Sequence, residues 1–214
     1  MAATSATSGV PAPGVDRRRL RAERGRDAVV DALLSFYDEG EHDPGAAAIA
    51  QRAGVSERSV FRYFQDLEAL ADAAIQRHWE RVGAAFDPPP AVGDVRARAR
   101  ALVDQRIRIH QVAGPVARAG AILARRSETV ARGLDTRRRI LRSQLAPLFP
   151  EIDERLARAE RTELLAALDA ATSVEQVEYL RTGAGLSAPR ARAVMLRTVL
   201  ALLEPIERAG GATT

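Results

Sequence analysis

The chain contains no cysteine and no lysine, only 4% aromatic residues and three histidines. The absence of cysteine excludes disulfides, thiolate nucleophiles and cysteine-ligated metal sites. The histidines, His42, His78 and His110, lie too far apart in sequence to form a local metal-binding motif. No segment approaches the roughly 18 consecutive apolar residues of a membrane span, and residues 1–15 lack the basic start and apolar run of a secretory signal. We therefore expect a cytoplasmic globular protein that needs no membrane, metal ion or other cofactor.

Arginine supplies all 32 basic residues, and the net charge is +4. An arginine-rich and alanine-rich composition is typical of codon bias as well as of nucleic-acid binding, so the net charge alone does not separate the two. Residues 16–27 carry six arginines against three acids, whereas residues 16–70 carry nine arginines against eleven acids. The excess of acids over residues 16–70 disfavours strong non-specific attraction to the phosphates of DNA.

Apolar residues recur at helical spacing along almost the whole chain, and the alternating runs typical of strands are absent. We therefore predict an all-α fold of about nine helices. Their predicted ranges are 17–39, 46–53, 56–63, 66–86, 93–113, 115–126, 127–148, 152–182 and 187–209. Pro88, Pro89 and Pro90 form the firmest break, since consecutive prolines cannot continue a helix.

Two of the predicted helices, 46–53 and 56–63, are separated by a very short turn. Gly54 supplies the turn geometry that a side chain would resist, and Ser56 is a favourable N-cap for the second helix. Two helices joined by a short turn containing glycine form the helix-turn-helix pattern. The polar face of the second helix is either a solvated surface or a set of groups that read base edges in a major groove.

Residues 49–64 read IAQRAGVSERSVFRYF. This motif resembles the DNA-binding signature of TetR-family transcriptional regulators, and the resemblance extends over about residues 20–86. It implies base contacts from five residues of the second helix: Glu57, Arg58, Ser59, Phe61 and Arg62. It also implies phosphate contacts from Ser56 and Tyr63. For Phe61 the alternatives are a thymine methyl group and a packing role in the protein.

Two departures from the family pattern remove expected phosphate contacts. The family often has threonine near the start of the first motif helix, where this chain has Gly45, Ala46 and Ala47, and lysine at the position of Leu67. We expect arginines near the start of the first helix to compensate by contacting the DNA backbone. These are Arg17, Arg18, Arg19 and Arg21.

The resemblance also implies the domain organisation. Residues 16–66 are expected to bind DNA, and residues 67–209 to bind an effector and to dimerise, with 67–86 as the connecting helix. Residues 1–15 and 210–214 are expected to be tails. The apolar residues proposed for a homodimer interface, which alternatively belong to the core of one chain, are Leu164, Leu168, Ala171, Met195, Val199 and Leu202.

Four residues are candidates for the effector pocket. Trp79 and Phe86 form either an aromatic wall or ordinary core. Arg106 and His110 lie on the apolar helix 93–113, where a buried cation needs a partner. That partner is a polar or anionic ligand or, as the alternative, an acid such as Glu128 or Glu175.

We therefore expect a sequence-specific regulator, a repressor that a small-molecule effector releases from a palindromic operator in double-stranded DNA. No sequence feature distinguishes a repressor from an activator. A helical protein–protein adaptor, whose helix-turn-helix no longer reads DNA, is the alternative. An enzyme is not expected, because the sequence has no phosphate-binding glycine loop, no nucleophile elbow and no metal-ligand spacing.

Overall fold

Helical spacing of the apolar residues gives an all-α structure, which confirms the predicted fold class. The computed structural model describes residues 13–211 and the side chains of residues 17–206, and this part of the chain contains no strand. The predictions for residues 1–12 and 212–214 lie outside the described residues. The elements are α1 (Pro13–Asp38), α2 (Ala46–Ala53), α3 (Glu57–Tyr63), α4 (Leu67–Val82), a 3-10 helix (Gly83–Phe86), α5 (Val95–Leu123), α6 (Glu128–Ser143), α7 (Leu145–Leu148), α8 (Glu151–Arg155), α9 (Arg158–Ala171), α10 (Val174–Glu178), a π-helical turn (Tyr179–Gly183) and α11 (Ala188–Gly211).

The chain divides into two compact units, one that ends at Ala74 and one that begins at Ile75, within α4. In the first unit, α2 packs against α1 and α3. The side chains that α1 buries are mainly large and apolar, and those of α2, α3 and the residue after α3 complete this core. Its members include Val29, Leu33, Phe36, Tyr37, Ile49, Val60 and Phe64.

In the second unit, α5 packs against α6, α10 and α11. Asp94 caps α5 by accepting a hydrogen bond from the Ala97 N–H at 2.7 Å. The buried face of α5 and the inner face of α11 share one large apolar cluster, which also includes residues of α7 to α10. This cluster anchors the middle of the helical unit.

Several predicted helix boundaries are wrong, among them the end of 66–86, since α4 ends at Val82 and a 3-10 helix follows. Pro115 lies inside α5 rather than at the start of a new helix; a proline removes one backbone hydrogen bond, and the buried Ala113 and Val116 on either side keep the helix packed. The predicted helix 127–148 ends at Ser143. The predicted helix 152–182 is divided into α8, α9, α10 and a π-helical turn, because Ser173 begins a new helix by accepting from the Gln176 N–H.

The described ends of the chain are also more helical than predicted. Residues 13–15, assigned to a tail, belong to α1, which begins at Pro13. Proline is favoured in the first turn of a helix, where its missing N–H has no intrahelical partner in any case. No helix in the described part of the chain is long and apolar enough to cross a membrane.

Three residues predicted for a dimer interface belong to the core of a single chain. Leu168, Met195 and Val199 are at most 1% exposed and form part of the same apolar cluster. A second chain cannot contact side chains that are already enclosed. Leu164, Ala171 and Leu202 are only partly buried.

Candidate functional site

The turn between α2 and α3 has the geometry that the sequence predicted. Gly54 has φ 66°, in the left-handed region that a side chain disfavours. Its N–H donates to the Gln51 carbonyl at 3.2 Å, and the Val55 N–H donates to the Ala50 carbonyl at 3.0 Å. Ala50 is buried. The turn therefore closes α2 with backbone hydrogen bonds and sets the start of α3.

Ser56 is the N-cap of α3. Its Oγ accepts a hydrogen bond from the Ser59 N–H at 3.2 Å and lies 2.9 Å from the Ser59 Oγ. Capping of this kind stabilises a helix by about 1 kcal/mol. Both serines proposed as DNA contacts are thus joined to each other at the exposed beginning of α3.

The outer face of α3 carries the predicted contact residues. Glu57, Arg58 and Arg62 are exposed, and Ser59 is partly exposed. Phe61 is 47% exposed, so it is not a core residue of the described chain. Four different polar or charged groups and one exposed aromatic ring therefore share this face.

Tyr63, at the end of α3, is held in place from two sides. Arg62 Nη2 donates to the Tyr63 Oη at 3.1 Å. A Cβ added to Gly25 would lie 2.9 Å from Tyr63 Cζ and closer still to the hydroxyl oxygen. The lack of a side chain at Gly25 lets the tyrosine ring end reach the α1 backbone. This contact was not predicted from the sequence, although a glycine within a predicted helix was an available signal.

The proposed phosphate-binding arginines, Arg17, Arg18, Arg19 and Arg21, are exposed on α1. Arg19 is also paired with Glu23, with Nε to Oε1 at 2.9 Å. The first motif helix has no side-chain cap at Gly45. The family often has a threonine hydroxyl near this position. No side chain takes its place at the cap of α2.

A second arginine contact, which the sequence analysis missed, joins α2 to α1. The Arg52 guanidinium carbon lies 3.4 Å from the centroid of the Phe36 ring. Its Nη1 donates to Ser35 Oγ at 3.1 Å and to Glu39 Oε1 at 2.9 Å. Arg52 therefore stabilises the orientation of the first motif helix and is not free for DNA.

The second unit contains a cavity of about 680 Å³ that brings together Trp79, Phe86 and Arg106. The Trp79 and Phe86 rings meet edge to face, with centroids 5.0 Å apart. His110, the fourth predicted pocket residue, does not line the cavity. A volume of this size is typical of small-molecule sites.

Arg106 is 2% exposed, and the salt bridge considered as the alternative to a ligand is not found among the described residues. It donates to Gln105 Oε1 at 2.6 Å, Gln144 Oε1 at 3.1 Å and the Leu141 carbonyl at 2.9 Å, which are all neutral acceptors. Burial lowers the pKa of Arg106 to about 10, and the nearby charge of Asp169 only partly opposes this effect. Arg106 is thus a fixed cation without an ion-pair partner among the described residues.

The two acids named as partners for Arg106 are engaged elsewhere. Glu128 accepts from Arg132 Nη1 at 2.6 Å, one helical turn along α6. Glu175 accepts from Arg138 Nη2 at 2.7 Å. Both pairs are largely exposed, the first within α6 and the second between α6 and α10, and the sequence could not distinguish them from a buried pair.

Glu178 on α10 is the acid that pairs with His110. His110 Nε2 lies 2.8 Å from Glu178 Oε2, and Arg118 Nη1 donates to the same oxygen at 3.0 Å. Burial by itself would raise the pKa of Glu178, but the hydrogen bond from His110 and the charge of Arg118 outweigh it and lower that pKa. This trio lies at the cavity, since Arg118 and Glu178 line it.

Arg137 is a further cavity residue that the sequence analysis missed. Its guanidinium carbon lies 3.8 Å from the centroid of the Trp79 ring. Burial lowers the pKa of Arg137 to about 10. Because Trp79 and Arg137 lie on different helices far apart in the chain, no local pattern predicts their contact.

Comparison with known proteins finds a family match for part of the first unit. Residues 30–74 match the family model described as "Bacterial regulatory proteins, tetR family". The HTH-type transcriptional regulator BetI of Paraburkholderia phymatum is 34% identical over 107 residues, which cover 49% of this chain and 53% of that protein. BetI of Yersinia pestis is 34% identical over 83 residues, covering 37% and 42% of the two chains. The match thus spans about half or less of each relative.

Solved structures share the fold over a longer stretch. A transcriptional regulator from Rhodococcus sp. Rha1 superimposes with a TM-score of 0.65 at 18% identity, over 86% of this chain and 96% of that one. A TetR-family transcriptional regulator from Streptomyces coelicolor gives a TM-score of 0.68 at 18% identity, over 87% and 83% of the two chains. The comparisons support a TetR-family transcriptional regulator, as the motif of residues 49–64 predicted.

Proposed function

We propose that the chain is a sequence-specific transcriptional regulator that binds double-stranded DNA through α3. The observation that carries this proposal is the exposed outer face of α3, on which Glu57, Arg58 and Arg62 project from a helix whose opposite side is buried. Arginine pairs well with guanine and glutamate accepts from cytosine in a major groove. No catalytic role is proposed for these residues, and the protein is proposed to act in the cytoplasm.

The individual roles follow from the positions of the groups. We assign base contacts to Glu57, Arg58, Ser59, Phe61 and Arg62. Ser56 and Tyr63 would contact phosphate, as their hydroxyl groups stand at the two ends of α3. The exposed arginines near the start of α1 would add contacts to the DNA backbone, which a helix-turn-helix with few phosphate-binding groups needs.

A homodimer on a palindromic operator is part of the proposal. One short recognition helix reads too few base pairs for useful specificity, and paired half-sites lie about 34 Å apart, one DNA turn, in this class of complex. Leu164, Ala171 and Leu202 are the proposed interface residues that retain exposed surface. Half-buried apolar groups of this kind can complete their burial against a second copy.

The cavity of the second unit is proposed to bind a small-molecule effector that lowers operator affinity, which would make the protein a repressor. An effector changes operator affinity only if it binds the DNA-competent and DNA-incompetent states with different affinities. The aromatic and charged walls around Trp79, Phe86 and Arg106 provide the surface for such a ligand.

The test is a footprint of the purified protein on the DNA upstream of its own gene, followed by a salt titration of the protected fragment. We expect protection of two adjacent half-sites and affinity that falls steeply with salt. Arg62→Ala should cost about 1–3 kcal/mol at one base position, whereas Arg108→Ala, an exposed arginine of the second unit, should leave binding unchanged. No salt-dependent binding to that DNA would refute the regulator and favour the adaptor.

A further inference from the structure

The walls of the cavity in the second unit carry an excess of positive charge. Five arginines line it against three acids: Arg106, Arg118, Arg137, Arg138 and Arg142, against Asp169, Glu175 and Glu178. Two of the acids are already paired, Glu175 with Arg138 and Glu178 with Arg118. The remaining three arginines face one acid, Asp169, which makes no ion pair among the described residues.

Arg137 is one of the cavity arginines that make no ion pair among the described residues. Its guanidinium lies over the Trp79 ring, at 3.8 Å from the centroid, and no hydrogen bond or ion pair is found for it within the described part of the chain. Cation–π attraction to an indole does not require the hydrogen-bonding capacity of a guanidinium, whose five N–H donors can still serve an acceptor. Arg137 therefore has donors to offer a ligand beside the aromatic wall.

Arg106 supplies a second positive charge that cannot move away. Its three hydrogen bonds go to neutral groups, and Gln144, one of these acceptors, donates in turn to the Phe86 carbonyl at 2.6 Å. Gln105, another acceptor, donates to the Asp87 carbonyl at 2.6 Å. The network fixes the cation beside the end of the 3-10 helix, where Asp169 acts on it through its nearby charge but no ion-pair partner is found among the described residues.

Most of the remaining lining is apolar, apart from Thr172 and Ser173. Trp79 and Phe86 form an edge-to-face aromatic pair, and Ile109, Leu134 and Leu141 continue this surface. A bare inorganic anion would leave these side chains without a partner, and a neutral hydrocarbon would leave the arginines uncompensated. An amphipathic anion satisfies both sets of groups at once.

We propose that the effector of this protein is a small organic acid, with its carboxylate bound to Arg137 in the field of Arg106 and its aromatic or branched apolar body against Trp79 and Phe86. This proposal depends on the proposed function only in calling the ligand an effector. The binding site itself is defined by its own residues. Charge-assisted hydrogen bonds to a guanidinium are the interactions that select a carboxylate over its amide.

The test compares 4-phenylbutyrate with its neutral isostere 4-phenylbutyramide, using calorimetry and the fluorescence of Trp79, the only tryptophan of the chain. We expect the acid to bind at least about tenfold more tightly than the amide, a difference of roughly 1.4 kcal/mol. Arg137→Gln should abolish the preference, and Arg137→Lys should retain part of it. Arg139→Gln, on the same helix but outside this cavity, should behave as the wild type.

Several results would overturn the proposal. These are equal affinity for the acid and the amide, no saturable binding of either at millimolar concentration, equal loss of preference in the Arg137 and Arg139 variants, and displacement of the acid by inorganic phosphate at similar concentration. Circular dichroism of each variant establishes that it is folded, and Arg137→Lys keeps the test informative if Arg137→Gln is not.

The footprint without any ligand separates this inference from the proposed function. A protein that protects its upstream DNA but shows no preference for the acid refutes the ligand class and leaves the regulator standing. A protein that prefers the acid but protects no DNA refutes the regulator and leaves the acid-binding cavity standing.

Discussion

Substitution of Gly25 by alanine tests whether α1 positions the end of the recognition helix. The new Cβ would lie 2.9 Å from Tyr63 Cζ and 3.1 Å from Cε2, distances that force the ring end to shift. The tyrosine side chain is able to rotate away, whereas the α1 backbone is held by the buried residues Val29 and Val30 that follow it. We therefore expect Tyr63 to move and α1 to stay.

The expected effect on folding is small because two terms oppose each other. Alanine is favoured over glycine in a helix interior by about 1 kcal/mol. The displaced tyrosine loses the hydrogen bond from Arg62, a partly exposed interaction worth about 0.5–1.5 kcal/mol. The free energy of unfolding of Gly25→Ala should therefore differ from that of the wild type by less than about 1 kcal/mol.

Operator affinity should fall much more than stability does. A Tyr63 hydroxyl moved away from phosphate loses a contact of about 1–1.5 kcal/mol, which is roughly tenfold in dissociation constant. The assay is fluorescence anisotropy on the footprinted fragment, paired with urea unfolding of the same sample. Gly83→Ala is the matched control, since its added Cβ meets no atom within 4 Å, and it should leave operator affinity unchanged.

Tyr63→Phe provides the decisive comparison. It should lower operator affinity as much as Gly25→Ala does, and the double variant should show no further loss, because both changes remove the same hydroxyl contact. Wild-type affinity in Gly25→Ala, or losses that simply add in the double variant, would refute this account of how α1 acts on Tyr63.

Three further predictions concern the turn, the core and the cavity. Gly54→Ala should lower the free energy of unfolding by about 1–2 kcal/mol, because φ is 66° at this position. Gly45→Ala, where φ is −72°, should lower it less. Equal losses in the two variants would contradict the argument from backbone strain. Leu168→Ala should cost about 2–5 kcal/mol at every protein concentration, and a cost that depends on concentration would return Leu168 to the dimer interface. Since the pKa of Glu178 is lowered in the folded state from its ordinary value of 4.5, its stabilising contribution is complete above that value and is lost as the pH falls through the lowered pKa. Glu178→Gln should therefore flatten the acid limb of the stability curve measured by urea unfolding, and an unchanged limb would contradict the pairing with His110.

Local patterns predicted the helices, but they did not predict where long helices end. Ser127 and Ser173 are N-caps, and a serine that accepts from the N–H three residues later is visible in sequence as a start signal. The end of α6 at Ser143 depends instead on Gln144, which is buried and bonded to Phe86 and Arg106. Such contacts join segments that are distant in the chain, so no local window contains the information.

The candidate site divides in the same way. The α2–α3 turn and the capped start of α3 are local features, and the sequence was sufficient for Gly54 and Ser56. The contacts that position the site, those of Gly25 with Tyr63 and of Trp79 with Arg137, require the fold. Sequence reasoning therefore found the exposed face of α3 but not its support, and it found the aromatic wall of the cavity but not the cation that lies on it.

Arginine content alone did not decide the function because the fold uses arginine in three distinct ways. Some side chains form ion pairs, as Arg138 does with Glu175. Others lie over aromatic rings: Arg52 over Phe36 stabilises the first motif helix. A third group, exemplified by Arg106, carries charge in a buried place without an acid. A guanidinium remains protonated even when burial lowers its pKa to about 10, so at neutral pH the cavity retains its positive charge whether or not a ligand is bound. Lysine is more readily neutralised by burial, and for that reason an arginine-lined cavity is better suited than a lysine-lined one to bind a carboxylate.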